Sequence, residues 1–241
     1  MLFRSLQEKV RNFRLTNASS HTSLTNSRSR VERFFYCNPF CIDLRLSNKD
    51  GMKDITELHQ SEFDEQPQVV ASVPGVHTLL GEFTDYCKGF SLCGTSSSTL
   101  EIAASLRPDQ SARLFSSQGN DRKRFNIQNL KYRREDRWGN YAKGVMALFA
   151  NKGVSVAGVN ISLSGSLLKN DGPVVSSAMC LGCAIVLNEL FKASMTIDEL
   201  AAIAYMAQTS FCAETGRYVM FLAMVHARPG ALMLFNIHSL S

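Results

Sequence analysis

A chain of 241 residues with 45% hydrophobic content can bury one substantial core, and two full-sized domains would crowd it. Its net charge of +5 arises in residues 1 to 51, which hold nine Lys/Arg against four Asp/Glu; the remainder holds seventeen of each, so no basic stripe marks a nucleic-acid surface. No apolar stretch approaches the roughly 20 residues of a membrane span, and seven scattered cysteines, an odd number without a secretory leader, point to reduced thiols in a cytoplasm.

Taken in chain order, residues 1 to 51 are rich in Arg, Ser, Thr and Asn and show no apolar periodicity from Asn17 to Arg30, which predicts a disordered basic extension. The same composition suits an organellar transit peptide or translated upstream sequence, because Met52 directly precedes the orderly pattern that follows. Cys37 and Cys41 lack a nearby His or Cys pair that could complete a zinc site, and the five histidines are dispersed. From Met52 the spacing predicts a short helix over Asp54 to Phe63 and a strand over Val69 to Val73 that delivers a Pro74-Gly75 turn. Leu100, Ile102, Ala104 and Leu106 alternate with less apolar residues, and a turn at 107–110 leads to Ser111 to Ser117, a hairpin pattern.

Trp138, Tyr141, Ala142, Val145, Leu148 and Phe149 recur at helical spacing, with Gly153 as a stop. Val159, Ile161 and Leu163 alternate as a strand. Ser177 to Phe191 is apolar nearly all round and predicts a buried helix; Cys180 and Cys183 have C-x-x-C spacing inside it, where buried small side chains fit better than a metal or redox pair. Thr196-Ile197-Asp198-Glu199 is a capping box for a helix running to about Phe211, with Leu200, Ile203, Ala204 and Ala207 as its buried stripe, and Ala231 to Ile237 reads as a closing strand. Strands and helices interleave without regular βαβ alternation, which predicts an α+β sandwich.

Three stretches carry a resemblance. They are Pro74-Gly75 through Leu79-Leu80-Gly81-Glu82-Phe83-Thr84-Asp85-Tyr86; Trp138-x-Asn140-Tyr141-x-Lys143-Gly144-Val145; and the apolar strand, Ser176-Ser177-Ala178 and buried helix. In this order residues 52–241 resemble the N-terminal half of galactokinases, in the GHMP sugar-kinase superfamily. The resemblance implies a mixed sheet with helices (ribosomal protein S5 domain 2-like), a missing C-terminal GHMP domain, ATP and Mg²⁺ as cofactors, and transfer of phosphate to galactose to give galactose 1-phosphate. It implies sugar binding by Glu82, Thr84 and Asp85, since carboxylates accept several hydroxyl bonds and orient a ring; an ordinary polar turn capping a helix near Phe83 to Tyr86 explains the same letters. It implies nucleotide contacts from Gly172, Ser176 and Ser177, with Ser176 near the metal, although serines that open a helix are also plain caps.

The same resemblance locates five departures. The position of the catalytic Arg is Val76. That of the base Asp is Met220 without a gap, or Val219 with one, and that of the metal-binding Glu is Gln208. The His of the sugar motif is Phe83. In the phosphate loop, Asp171 adds negative charge and Pro173 removes one N–H donor. The expectation is a galactokinase-like protein impaired in catalysis, with two alternatives: a noncatalytic sugar- or nucleotide-binding regulator, and a remnant without function. Galactose or a related sugar is the expected partner, together with a separately encoded C-terminal half; neither nucleic acid nor membrane is expected.

Overall fold

The computed structural model describes residues 43–46, 53–84, 86, 87, 89–169, 172–226, 228 and 230–237. Its frame is a seven-stranded mixed sheet: β1 (Asp43–Leu46), β2 (Val69–Leu80), β3 (Phe90–Arg107), β4 (Ser111–Ser116), β5 (Asp121–Asn126), β6 (Gly158–Ser164) and β7 (Leu232–Asn236). The order is β1-β2-β3-β6-β4-β5, with β7 pairing the first part of β3, and only β4 and β6 run parallel. Helix α1 (Lys53–Phe63) covers one face. Helices α2 (Gly139–Asn151), α3 (Pro173–Leu190), α4 (Ile197–Met206) and α5 (Tyr218–Val225) cover the other.

Alternation assigns the faces. Leu100, Ile102 and Ala104 of β3 join the main core with Val145, Phe149, Leu181 and Phe221, whereas Ala103 packs with Ile55 and Val70 under α1. Helix α3 corrects the expectation that no apolar stretch nears a membrane span, because its 18 residues are long and apolar enough for one; it is buried over most of its length between sheet and helices, as a core helix is. Cys180 and Cys183 are buried free thiols within it, as expected, and burial pushes the Cys183 thiol up to about 12.

Several expectations need correction. Residues 1 to 51 are not uniformly without structure, because Asp43–Leu46 pairs antiparallel with Val69–Ser72; the rest of that segment, with Cys37 and Cys41, lies outside the described residues. A four-residue alternation, Asp43-Leu44-Arg45-Leu46, is invisible in a fifty-residue composition, yet it satisfies backbone groups on the open edge of β2. Pro74-Gly75 is no turn: β2 continues to Leu80 through a register shift between Pro74 and Val76, just past the reach of β1, where a missing N–H is tolerated. The described residues Phe83, Thr84 and Tyr86 make hydrogen-bonded turns and no helix; Asp85 lies outside the described residues.

The hairpin of β3 and β4 is also corrected. The two strands flank β6, which enters between them at Gly158, where any Cβ would strike the Asp109 carbonyl. Arg107 holds this corner by a two-pronged pair with Asp109 at 2.9 and 2.6 Å and a bond to Asn160 Oδ1 at 3.1 Å. Helix α3 begins at Pro173, not Ser177, because proline is well suited to the first helical position. The Thr196 capping box forms, but α4 ends at Met206 and a π-helical segment, Ala207–Phe211, completes the run. Two elements had no sequence signal: β5, charged at four of six positions, and α5, apolar on every side.

Candidate functional site

The sugar-motif residues sit on a tight turn between β2 and β3. Gly81 has φ +74 and no room for a Cβ beside the Phe90 carbonyl, so the turn depends on glycine. Thr84 Oγ1 lies 2.8 Å from both Gly81 O and Phe90 O, and Thr84 O accepts from the Gly89 amide at 2.9 Å. The expected sugar ligand Thr84 is therefore a brace for the turn. Glu82 projects outward with its side chain 63% exposed, and Asp85 lies outside the described residues.

Arg217, just before α5, is a residue that sequence reasoning missed. Its Nη2 donates to Thr78 Oγ1 at 3.0 Å and lies 3.7 Å from Glu82 Oε1; its Nη1 donates to the Glu82 carbonyl, and its guanidinium stands 6.0 Å from the Phe83 ring. No local pattern announces this, since 135 residues separate Arg217 from Glu82. The guanidinium ties the sugar motif to the segment that leads to Met220.

The residues that the resemblance assigns to a nucleotide gather elsewhere. A cavity of about 580 Å³ is lined by Asp121, Trp138, Tyr141, Gly172, Ser176 and Glu214 among others. Gly172 is the N-cap of α3 and lines the cavity with Pro173 and Val175; Pro173 carries no N–H, and the Val175 amide donates to Gly172 O at 3.1 Å. Trp138 Nε1 donates to Asp121 Oδ2 at 2.8 Å, and this bond, aided by Lys123, holds the Asp121 carboxyl below its ordinary range. Tyr141 donates to Glu214 Oε1 at 2.8 Å; burial first, then Glu214, pushes its phenol well above the usual value. An aromatic wall beside a helix N-terminus suits a planar base with an anionic tail.

Ser176, Ser177 and Gln208 meet at the back of this cavity. Gln208 is fully buried: its Nε2 donates to Ser176 Oγ at 2.7 Å and its Oε1 accepts from Ser177 Oγ at 2.9 Å. Both serines also lie within bonding distance of Pro173 O, at 3.2 and 2.7 Å, so they are one turn inside the helix and are not its caps. Hard divalent cations prefer carboxylate oxygens. Here the residue at the family's carboxylate position is a neutral amide whose two ends are occupied, so Ser176 and Gln208 do not fit Mg²⁺. Asp171 lies outside the described residues.

Val76 and Met220, where the resemblance places a catalytic Arg and an Asp base, are 3% and 4% exposed and belong to one hydrophobic core, as does the alternative Val219. The structure thus brings Ser176, Ser177 and Gln208 together beside Gly172, leaves Glu82 and Thr84 on a separate turn, and makes the two catalytic positions part of the packing.

Residues 57–106 match the galactokinase galactose-binding signature. A Treponema pallidum galactokinase homologue is 28% identical over 82% of this chain and 48% of its own, and the Fusobacterium nucleatum galactokinase is 29% identical over 57% and 36%. Among solved structures, Lactococcus lactis galactokinase complexed with galactose superposes with a TM-score of 0.70 at 20% identity, over 77% of this chain and 49% of that one. Methanococcus jannaschii mevalonate kinase does so with 0.58 at 12% identity, over 70% and 53%. The chain spans about half the length of these relatives or less. Over its described residues it has the α+β fold of the GHMP kinases and resembles galactokinases through their N-terminal half.

Proposed function

We propose that this chain is a galactokinase-like protein of the cytoplasm that retains binding surfaces for galactose or a related sugar and for ATP while transferring phosphate poorly or not at all. Its nominal reaction is the phosphorylation of galactose to galactose 1-phosphate. The observation that carries the reading is the Ser176–Gln208–Ser177 network, whose polar groups satisfy one another without a carboxylate, while the cavity's Asp121 and Glu214 accept from Trp138 and Tyr141. Val76 and Met220 add to it. A positioned general base contributes about 10²- to 10⁴-fold and a charge stabiliser about 10²- to 10³-fold. Phosphoryl transfer rests almost wholly on such positioning and charge.

Leu80, Phe83, Phe90, Leu232 and Leu234 are each more than half exposed around the sugar turn and β7. Because the relatives are about twice as long as the matched region, this corner is where a further stretch of polypeptide, in the same chain or another, would supply the second wall of the cleft. The activity test is a coupled assay at high ATP and Mg²⁺, in which no galactose-dependent ADP release is expected while galactose and ATP each bind measurably by calorimetry. Release that Asp85→Ala abolishes would return the chain to the working kinases. Failure to bind either ligand would leave only the remnant reading.

A further inference from the structure

Charge is not spread evenly over the folded body. Residues 122–137 hold seven Lys/Arg against two Asp/Glu, and they form β5 and the loop that leads to α2. At the end of the sheet this segment encloses a cavity of about 400 Å³ lined by Arg124, Arg133, Lys143, Asn126, Asn129 and Asp136, with Ser111 and Phe125 beside them. It shares no lining residue with the Ser176 cavity. Helix geometry explains the separation, because Tyr141 and Lys143 are two residues apart and so point about 200° away from each other round α2.

The lining carries three cations against one carboxylate. Lys143 is 1% exposed; its ammonium donates to the Lys131 carbonyl at 3.2 Å and to Asp136, and it lies 4.9 Å from the centre of the Phe125 ring. Asp136 is thereby spent on Lys143. Arg124 and Arg133 are exposed, and no hydrogen-bond or ion-pair partner for either guanidinium is found among the described residues. Arg124 stands directly opposite Arg113 in the β4–β5 register, and Arg113 Nε is itself buried without a hydrogen-bond partner. Like charges facing across strands are unfavourable unless an anion sits between or beside them. Two free guanidinium forks at the rim of a cavity with a desolvated ammonium form a concave, cationic receptor.

We propose that this cavity is a second anion site, which takes the phosphate or diphosphate group of a small phosphorylated metabolite independently of the nucleotide cleft. Its shape favours a small molecule over a nucleic-acid strand, because the ring that lines it, Phe125, is buried and already faces Lys143, leaving no platform in the cavity for a base to stack on.

Inorganic pyrophosphate is the probe, titrated into the full chain by calorimetry at two salt concentrations. Saturable binding is expected, weakened about tenfold by either Arg124→Gln or Arg133→Gln, lost in the double variant, and unchanged in Arg228→Gln, which removes an equal charge elsewhere. Arg133 lies in a loop, so its variant keeps the test valid should Arg124→Gln disturb β5; melting curves check both. Binding that survives the double variant, as it would if pyrophosphate occupied only the nucleotide cleft, overturns the proposal, as does no saturable binding. A single-stranded oligonucleotide that binds more tightly than pyrophosphate and is lost in the same double variant would also overturn it, in favour of a nucleic-acid surface.

Discussion

The sugar turn and the serine–glutamine cluster come from the same resemblance and have opposite fates. At the turn, most of the motif letters persist: Glu82 is exposed and Thr84 is a brace. At the cluster, the two serines meet Gln208 where the resemblance places a carboxylate, and the amide closes the network. An exposed carboxylate can be kept or lost at little energetic cost, since water solvates it. A buried polar group cannot change alone, because each partner left unsatisfied is penalised. The buried half of the site is therefore held by its closed network, and motif letters at the surface are the weaker guide to activity.

Four measurements break or sharpen that contrast. The largest effect is expected where the catalytic positions have become core. Met220→Asp should not restore catalysis but should destabilise the fold by about 4 kcal/mol, since it buries an unpaired charge. Denaturant unfolding that leaves Met220→Asp as stable as the parent would show that the position is open to solvent and still usable.

Acid tests a second buried polar cluster, on the opposite face of the sheet. His59 is fully buried, with Nδ1 3.0 Å from Ser162 Oγ and Nε2 2.9 Å from Ser105 Oγ. Burial lowers its pKa from 6.5 to about 4, with the nearby Glu65 carboxylate opposing the shift. The folded state thus resists protonation, so its contribution is present above the unfolded pKa and is lost as pH falls from 6.5 to about 4. The loss should reach about 3 kcal/mol. Stability that stays flat over this window, measured by denaturant titration at each pH, would mean His59 is hydrated or already charged.

Gln208→Ala removes both amide ends and strands Ser176 and Ser177, for an expected cost of about 2 kcal/mol. If unfolding midpoints show no loss, the network is not holding α3 to the π-helical segment. The smallest effect belongs to the turn. Thr84→Ala should cost about 1 kcal/mol and speed amide exchange over residues 81–89, while Glu82→Ala should change stability by less than about 0.5 kcal/mol. A Glu82→Ala penalty equal to that of Thr84→Ala would erase the distinction between an exposed carboxylate and a half-buried brace.

Local pattern carried most of the elements on the described chain. The helix stripe from Trp138, the Thr196 capping box, the apolar run of α3 and the alternations of β3 and β6 are all periodic over several residues, and each forms, although β3 already starts at Phe90, α3 at Pro173, and α4 stops at Met206. The letters from Pro74 to Tyr86 carried the ancestry, and the identities of Val76, Met220 and Gln208 needed no coordinates. Tertiary structure decided the rest. Strand β5 and helix α5 lack periodicity, because one is charged on both faces and the other buried on all of them, and β6 slips between β3 and β4 although those two are consecutive in the chain. Arg217 reaches Glu82 across 135 residues, and Gln208 finds two serines more than thirty positions away. The even charge of the body concealed the basic cavity at the end of β5 because a count ignores position. Periodicity reports which side of an element faces the core. Which elements become neighbours depends on the competition of all edges and faces for one another, and no short stretch of sequence contains that competition.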